Sequence, residues 1–124
     1  MAIVLFIDDY EQILKSIKRL VDLAVDADTE SQVAYATCST TESALAAIAA
    51  HQPEIIFLDH NLGEKGGEGL IVLRELMKNS SSVKVYSTTT DGFAHEEYRK
   101  LGVEIAKKGD NDRILHIIRQ ALST

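Results

Sequence analysis

Ile3-Val4-Leu5-Phe6-Ile7-Asp8-Asp9 opens the chain with a solid apolar run that stops on two adjacent acids. Unbroken runs of this length, set between helical patterns, read as strands buried on both faces. The pattern recurs downstream. Ile55-Ile56-Phe57-Leu58 stops at Asp59, Val83-Lys84-Val85-Tyr86 at Ser87-Thr88, and Val103-Glu104-Ile105-Ala106 at Lys107-Lys108. The remaining run, from about Gln32 to Cys38, completes five. Taken as parallel strands of one sheet, these runs bring three carboxylates, a hydroxyl and an ammonium to its carboxyl edge. Ligands of open α/β sheets sit at that edge.

Helical patterns alternate with the strands. Ile13, Leu14, Ile17, Leu20, Val21 and Ala24 recur at three- and four-residue steps. Asp26-Ala27-Asp28-Thr29-Glu30 reads as a polar loop. Ser39-Thr40-Thr41-Glu42 fits a capping box, with Ser39 as cap and Glu42 reaching back, and opens a helix through Ala44, Leu45, Ile48 and Ala49. The glycine-rich loop Gly63-Glu64-Lys65-Gly66-Gly67 leads to a third helix with Leu70, Leu73, Leu76 and Met77. Asn79 to Ser82 is a linker. A short helix covers Phe93 to Lys100, and the last runs through Ile114, Ile117, Ile118 and Ala121. Five β-α units predict a parallel sheet with helices on both faces.

The 124-residue length predicts one domain, 1–124, and nothing in the chain encodes an appended output domain. A net charge of −6 without a basic cluster speaks against direct binding of nucleic acid or an anionic membrane. Lys15-Ser16-Ile17-Lys18-Arg19 reads as a solvated helix face. Cys38 is the only cysteine and reads as a buried structural thiol. The first apolar run lacks a basic lead and is too short for a signal peptide or membrane span, so the expected location is the cytoplasm.

Three carboxylates cannot ionise freely side by side unless they share a cation. A small hard cation such as Mg²⁺ meets that need with oxygen ligands. One carboxylate is then free to attack phosphorus and form an acyl phosphate. The metal and an ammonium neutralise the phosphoryl oxygens, and a hydroxyl binds the oxygen that remains.

From Ile3-Val4-Leu5-Phe6-Ile7-Asp8-Asp9 to its last helix, the chain resembles the receiver domains of response regulators in two-component signalling. The resemblance implies a flavodoxin-like doubly wound sheet of strand order 2-1-3-4-5 with five helices. It implies Asp59 as phosphoacceptor, Asp9 as direct Mg²⁺ ligand, Asp8 acting mainly through water, and Asn61 offering a backbone carbonyl to the metal. Ser87 matches the switch hydroxyl and Lys108 the family lysine, while Gly67 falls where the family commonly has glycine. A sensor histidine kinase or phosphotransfer protein would donate the phosphoryl group. A separate downstream effector would read a surface of fourth helix, fifth strand and fifth helix, with the domain a monomer or a phosphorylation-dependent homodimer.

The chain also departs from the family. Gly63 stands in place of the usual proline four residues after the phosphoacceptor, Gly109 in place of the proline after the lysine, and Ile105 in place of a frequent aromatic. Thr88 replaces Ser87 if the fourth strand runs one residue longer, and Lys107 is the alternative to Lys108. Asp9 alone reads equally well as a helix cap. The alternative function is a degenerate receiver that binds a partner without phosphate. A small phosphatase of the aspartyl-phosphate type would need a second aspartate where Asn61 stands. His60 reads as an exposed loop residue, and His51, His95 and His116 lack zinc-ligand spacing. No Gly-Lys-Ser/Thr follows the first strand, so the glycines do not form a phosphate-binding P-loop.

Overall fold

The computed structural model describes residues 2–63, 65–79 and 82–122. Glu64 of the glycine-rich loop and Ser80-Ser81 of the linker lie outside the described residues, as do the side chains of Thr29 and Glu30. In chain order the elements are β1 (Val4–Asp8), α1 (Glu11–Ala24), α2 (Ala27–Glu30), β2 (Val33–Thr37), α3 (Thr41–His51) and β3 (Ile55–Leu58), then α4 (Glu68–Lys78), β4 (Lys84–Ser87), α5 (Gly92–Lys100), β5 (Glu104–Ile105) and α6 (Asn111–Leu122). All strand pairs are parallel, in the order β2-β1-β3-β4-β5. This is the doubly wound topology the sequence predicts. The five expected helices are present. An additional single turn, α2, occupies the expected polar loop, and its four residues are too few to show apolar periodicity.

Strand pleating divides the apolar residues between two cores. Leu5, Ile7, Ile56, Leu58 and Val85 face α3, α4 and α5. Val4, Phe6 and Phe57 face α1 and α6, meeting Leu14, Val21, Ile114 and Ile118. On this second face an aromatic rung crosses four strands. Tyr35, Phe6, Phe57 and Tyr86 stack in register, with centroid spacings of 5.6, 4.5 and 5.4 Å. Each stacked pair adds about 0.5–1.5 kcal/mol beyond its burial. Cys38 is buried, as expected of a structural thiol. No helix among the described residues is long and apolar enough to cross a membrane.

The α3 cap lies one residue later than predicted. Thr40, not Ser39, is the cap, and it exchanges hydrogen bonds with Ser43 rather than Glu42. The cause is Ser43, three residues after Thr40: its hydroxyl accepts from Thr40 N–H at 3.2 Å while its own N–H donates to Thr40 Oγ1 at 3.0 Å. Nor does Asp9 cap α1. Tyr10 takes that position without a side-chain cap, and its N–H donates to Asp8 Oδ1 at 2.9 Å.

Candidate functional site

The register Ile7↔Leu58 between β1 and β3 carries Asp8 and Asp59 to the same end of the sheet. Asp59 N–H still donates to the Ile7 carbonyl at 3.1 Å, which fixes its backbone beside β1. Asp8, Asp9 and Asp59 each offer a carboxylate oxygen, all within 4.8 Å of one another. Lys108, three residues past Ile105 at the end of β5, sits across them. Its Nζ lies 2.9 Å from Asp8 Oδ2 and 3.0 Å from Asp59 Oδ1. Lys107 is exposed, so the lysine that reaches the acids is Lys108.

The electrostatics follow from crowding and burial. Burial, then the charge of Asp8, pushes Asp59 up to about 6 against the opposing pull of Lys108. Asp9 is also raised, by burial and by its hydrogen bond to, and charge repulsion from, Asp8. Burial works to lower Lys108, but the hydrogen bonds and charges of Asp8 and Asp59 outweigh it and hold the ammonium above its ordinary value. Asp59 Oδ1 accepts from Lys108 and from His60 N–H at 2.9 Å. No donor among the described residues reaches its other oxygen.

A cavity of about 370 Å³ opens over this cluster, lined by Asp9, Asp59, Asn61 and Lys108 on one side and Thr89, Thr90 and Asp91 on the other. Asp8 does not line it, being tied down by Tyr10 and Lys108. The donor set fits a small hard cation: three carboxylates converge, all ligand atoms are oxygen, and one ammonium leaves negative charge uncompensated. Asn61 is placed so that its side chain is occupied elsewhere, with Oδ1 accepting from Gly67 N–H at 2.9 Å. Gly67 thereby links the loop to the start of α4.

β4 runs through Ser87, one residue past Tyr86, which is the condition set for Thr88 as the alternative hydroxyl, and neither residue lines the cavity. Ser87 is fully buried and does not line the cavity; its Oγ accepts from Thr89 N–H at 3.4 Å. Sequence reasoning missed Thr89 and Thr90 as lining residues, because they follow the strand end in a loop whose path the apolar run does not set. It also misplaced His60. Rather than lying exposed, His60 is half-buried, with Nδ1 2.8 Å from the hydroxyl of Tyr98.

The missing proline has a local explanation. A Cβ at Gly63 would meet Glu68 Oε2 at 2.8 Å and the Ser39 carbonyl at 2.9 Å, so only glycine fits. Glu68 reaches back into this loop, where Leu62 N–H donates to its Oε1 at 3.2 Å. Slight burial opposes ionisation of Glu68, but backbone N–H groups of Glu68, Gly63, Leu62 and Gly66 outweigh it and hold its carboxyl below the usual range. A carboxylate clasp thus braces the loop.

The model of the cyclic-phosphate processing receiver domain family matches residues 3–102. The chain belongs to that family. Receiver domains are signalling modules of response regulators, and the resemblance read from the strand ends is correct at that level. Lys108 lies beyond the matched segment, and the fold alone brings it to the acids.

Solved receiver domains share the architecture. That of NtrX from Brucella abortus is 24% identical, with a TM-score of 0.70 and 98% of each chain covered. The BeF3-activated N-terminal receiver domain of Klebsiella pneumoniae RstA is 17% identical, with a TM-score of 0.67 and 98% of each chain covered. The signal receiver domain of a DNA-binding response regulator from Colwellia psychrerythraea is 12% identical, with a TM-score of 0.73 and the same coverage. At these identities the likeness is one of fold. No curated protein sequence gives a significant match.

Proposed function

We propose that residues 1–124 act as one receiver domain, a cytoplasmic phospho-accepting switch in which Asp59 takes a phosphoryl group from a sensor histidine kinase or phosphotransfer protein. The observation that carries this reading is Lys108 in contact with Asp8 and Asp59 at 2.9 and 3.0 Å, with Asp9 beside them under an open cavity. Mg²⁺ would be held by Asp9, Asp59 and the backbone carbonyl of Asn61, with Asp8 acting through water. When bound, it supplies charge neutralisation at the phosphoryl oxygens.

The chain's own residues do the rest. The uncommitted oxygen of Asp59 attacks phosphorus, the bond from phosphorus to the donor's imidazole nitrogen breaks, and an acyl phosphate remains. Lys108 moves with its charge from the free carboxylate to the phosphoryl oxygens. Ser87 supplies a hydroxyl hydrogen bond to one of those oxygens. The altered surface of α5, β5 and α6 is then read by a separate effector, either by the monomer or by a phosphorylation-dependent homodimer.

Intact mass after treatment with acetyl phosphate tests this reading. A phosphoryl adduct that requires Mg²⁺ and disappears in Asp59→Asn is the expected result. No adduct under any condition would leave a degenerate, phosphate-independent binding module.

A second reading comes from the family's own description, which names the processing of cyclic phosphate. Lys108, with a cation held by the same acids, would then bind a cyclic phosphodiester in the cavity; water adds to phosphorus, one ring P–O bond breaks, the departing oxygen takes a proton from that water, and a monoester leaves. Incubation of the protein and Mg²⁺ with a ribonucleoside cyclic phosphate, followed by phosphorus NMR, separates the two. Steady monoester release without a stable protein adduct would favour processing.

A further inference from the structure

Tyr10 directly follows the acid pair and borders the cavity above it. It is 67% exposed. A lone exposed aromatic is ordinary on a protein surface and asks for no function. This one is held differently. Its N–H donates to Asp8 Oδ1 at 2.9 Å, and its carbonyl accepts from the N–H groups of Ile13 and Leu14 at the start of α1. The backbone is thus fixed on both sides, while the side chain is left to solvent at the mouth of a cavity that holds Asp59 and Lys108. The opposite wall is also fixed. Asp91 caps α5 by accepting from Phe93 N–H at 3.0 Å, and its own N–H donates to Thr89 Oγ1 at 3.0 Å. That leaves a second Asp91 oxygen and the exposed Thr90 beside the cavity.

A phosphate seated at Lys108 would have an aromatic ring on one side of it and oxygen acceptors on the other. A nucleotide has the matching parts: an anionic phosphate, a sugar that donates hydrogen bonds, and a flat base. We infer that this cavity is a mononucleotide site, in which Tyr10 stacks on the base of a nucleoside cyclic phosphate whose phosphodiester lies against Lys108. The inference rests on the cyclic-phosphate reading of the site and names its substrate class. Size agrees, since about 370 Å³ falls at the small end of the roughly 300–1,000 Å³ typical of small-molecule sites. Charge agrees as well. A cyclic phosphodiester is a monoanion, which suits one ammonium set among acids better than a dianionic monoester does. A polynucleotide would need a basic track along its backbone, whereas this lining offers Lys108 against Asp9, Asp59 and Asp91. Every base has a face to stack, so Tyr10 would select nucleosides as a class rather than one base. Its fixed backbone limits the freedom lost on binding.

The test is an NMR titration of wild type, Tyr10→Phe and Tyr10→Ala in the presence of Mg²⁺. The probes are adenosine 2′,3′-cyclic phosphate, base-free ethylene phosphate, and an RNA oligonucleotide ending in a 2′,3′-cyclic phosphate. The tie to Asp8 is a backbone N–H and survives both substitutions. Wild type should bind the cyclic mononucleotide about ten-fold more tightly than ethylene phosphate, and at least as tightly as the oligonucleotide. The ring protons of Tyr10 should shift upfield under the base. Tyr10→Phe should keep the preference for the base-bearing probe, and Tyr10→Ala should lose it. Equal affinity of wild type for mononucleotide and ethylene phosphate, an undiminished preference in Tyr10→Ala, or tighter binding of the oligonucleotide overturns the inference and leaves the cyclic-phosphate reading standing. If no probe binds, and phosphorus NMR shows none opened to a monoester, that reading falls and the inference with it.

Discussion

Asp59 is a carboxylate kept partly protonated by its surroundings. Burial and Asp8 push it up to about 6, above the ordinary value of 3.8, although Lys108 lies against it. The folded chain therefore binds this proton more tightly than the unfolded chain does. Its contribution stabilises the fold below that window and is lost as pH rises from about 3.8 to about 6. In metal-free buffer, the stability of wild type relative to Asp59→Asn should fall by about 2–3 kcal/mol between pH 4 and pH 7. Urea unfolding of both proteins at several pH values measures it, and a difference independent of pH would contradict the burial argument. The same tension is what a cation or a phosphoryl group relieves.

These acids were legible in the sequence because each stands where an apolar run stops, and a parallel sheet aligns such stops. Lys108 was legible for the same reason, although its neighbour Lys107 could be set aside only with coordinates. Tyr98 gave no such signal. It lies on a helix, its approach to His60 depends on how α5 packs, and a helical tyrosine on an apolar face reads as core.

Among the elements, strands followed the sequence more closely than helix starts. The α3 cap shifted from Ser39 to Thr40 because the Ser43 hydroxyl and N–H close a reciprocal pair with Thr40. Four polar residues coiled into α2 without periodicity to announce it. The loop between β3 and α4 shows a substitution of means. Where related domains use a proline, this chain uses Gly63 and the Glu68 carboxylate, which gathers backbone N–H groups of the loop. Glu68→Gln should weaken that clasp and loosen the segment carrying Asn61. Amide exchange at Leu62, Gly63 and Gly66 should quicken, and Mg²⁺ affinity by calorimetry should fall about ten-fold. Unchanged exchange and affinity would mean that the clasp does not support the site.

At the scale of the whole molecule, two cores grip one sheet, and the site sits where β1 and β3 end side by side. The aromatic rung of Tyr35, Phe6, Phe57 and Tyr86 ties four strands together beneath it. Phe57 is at the rung's centre and two residues from Asp59. Phe57→Ala should cost about 3–5 kcal/mol by chemical denaturation. A loss below about 1 kcal/mol would show that the strands do not depend on the stack. The most direct test of the account is chemical mapping of the acceptor. The protein is treated with acetyl phosphate and Mg²⁺, reduced with borohydride, digested and sequenced by mass spectrometry. An acyl phosphate at the end of β3 predicts homoserine at position 59 and nowhere else, whereas homoserine at position 8 or 9, or its absence from every position, would contradict it.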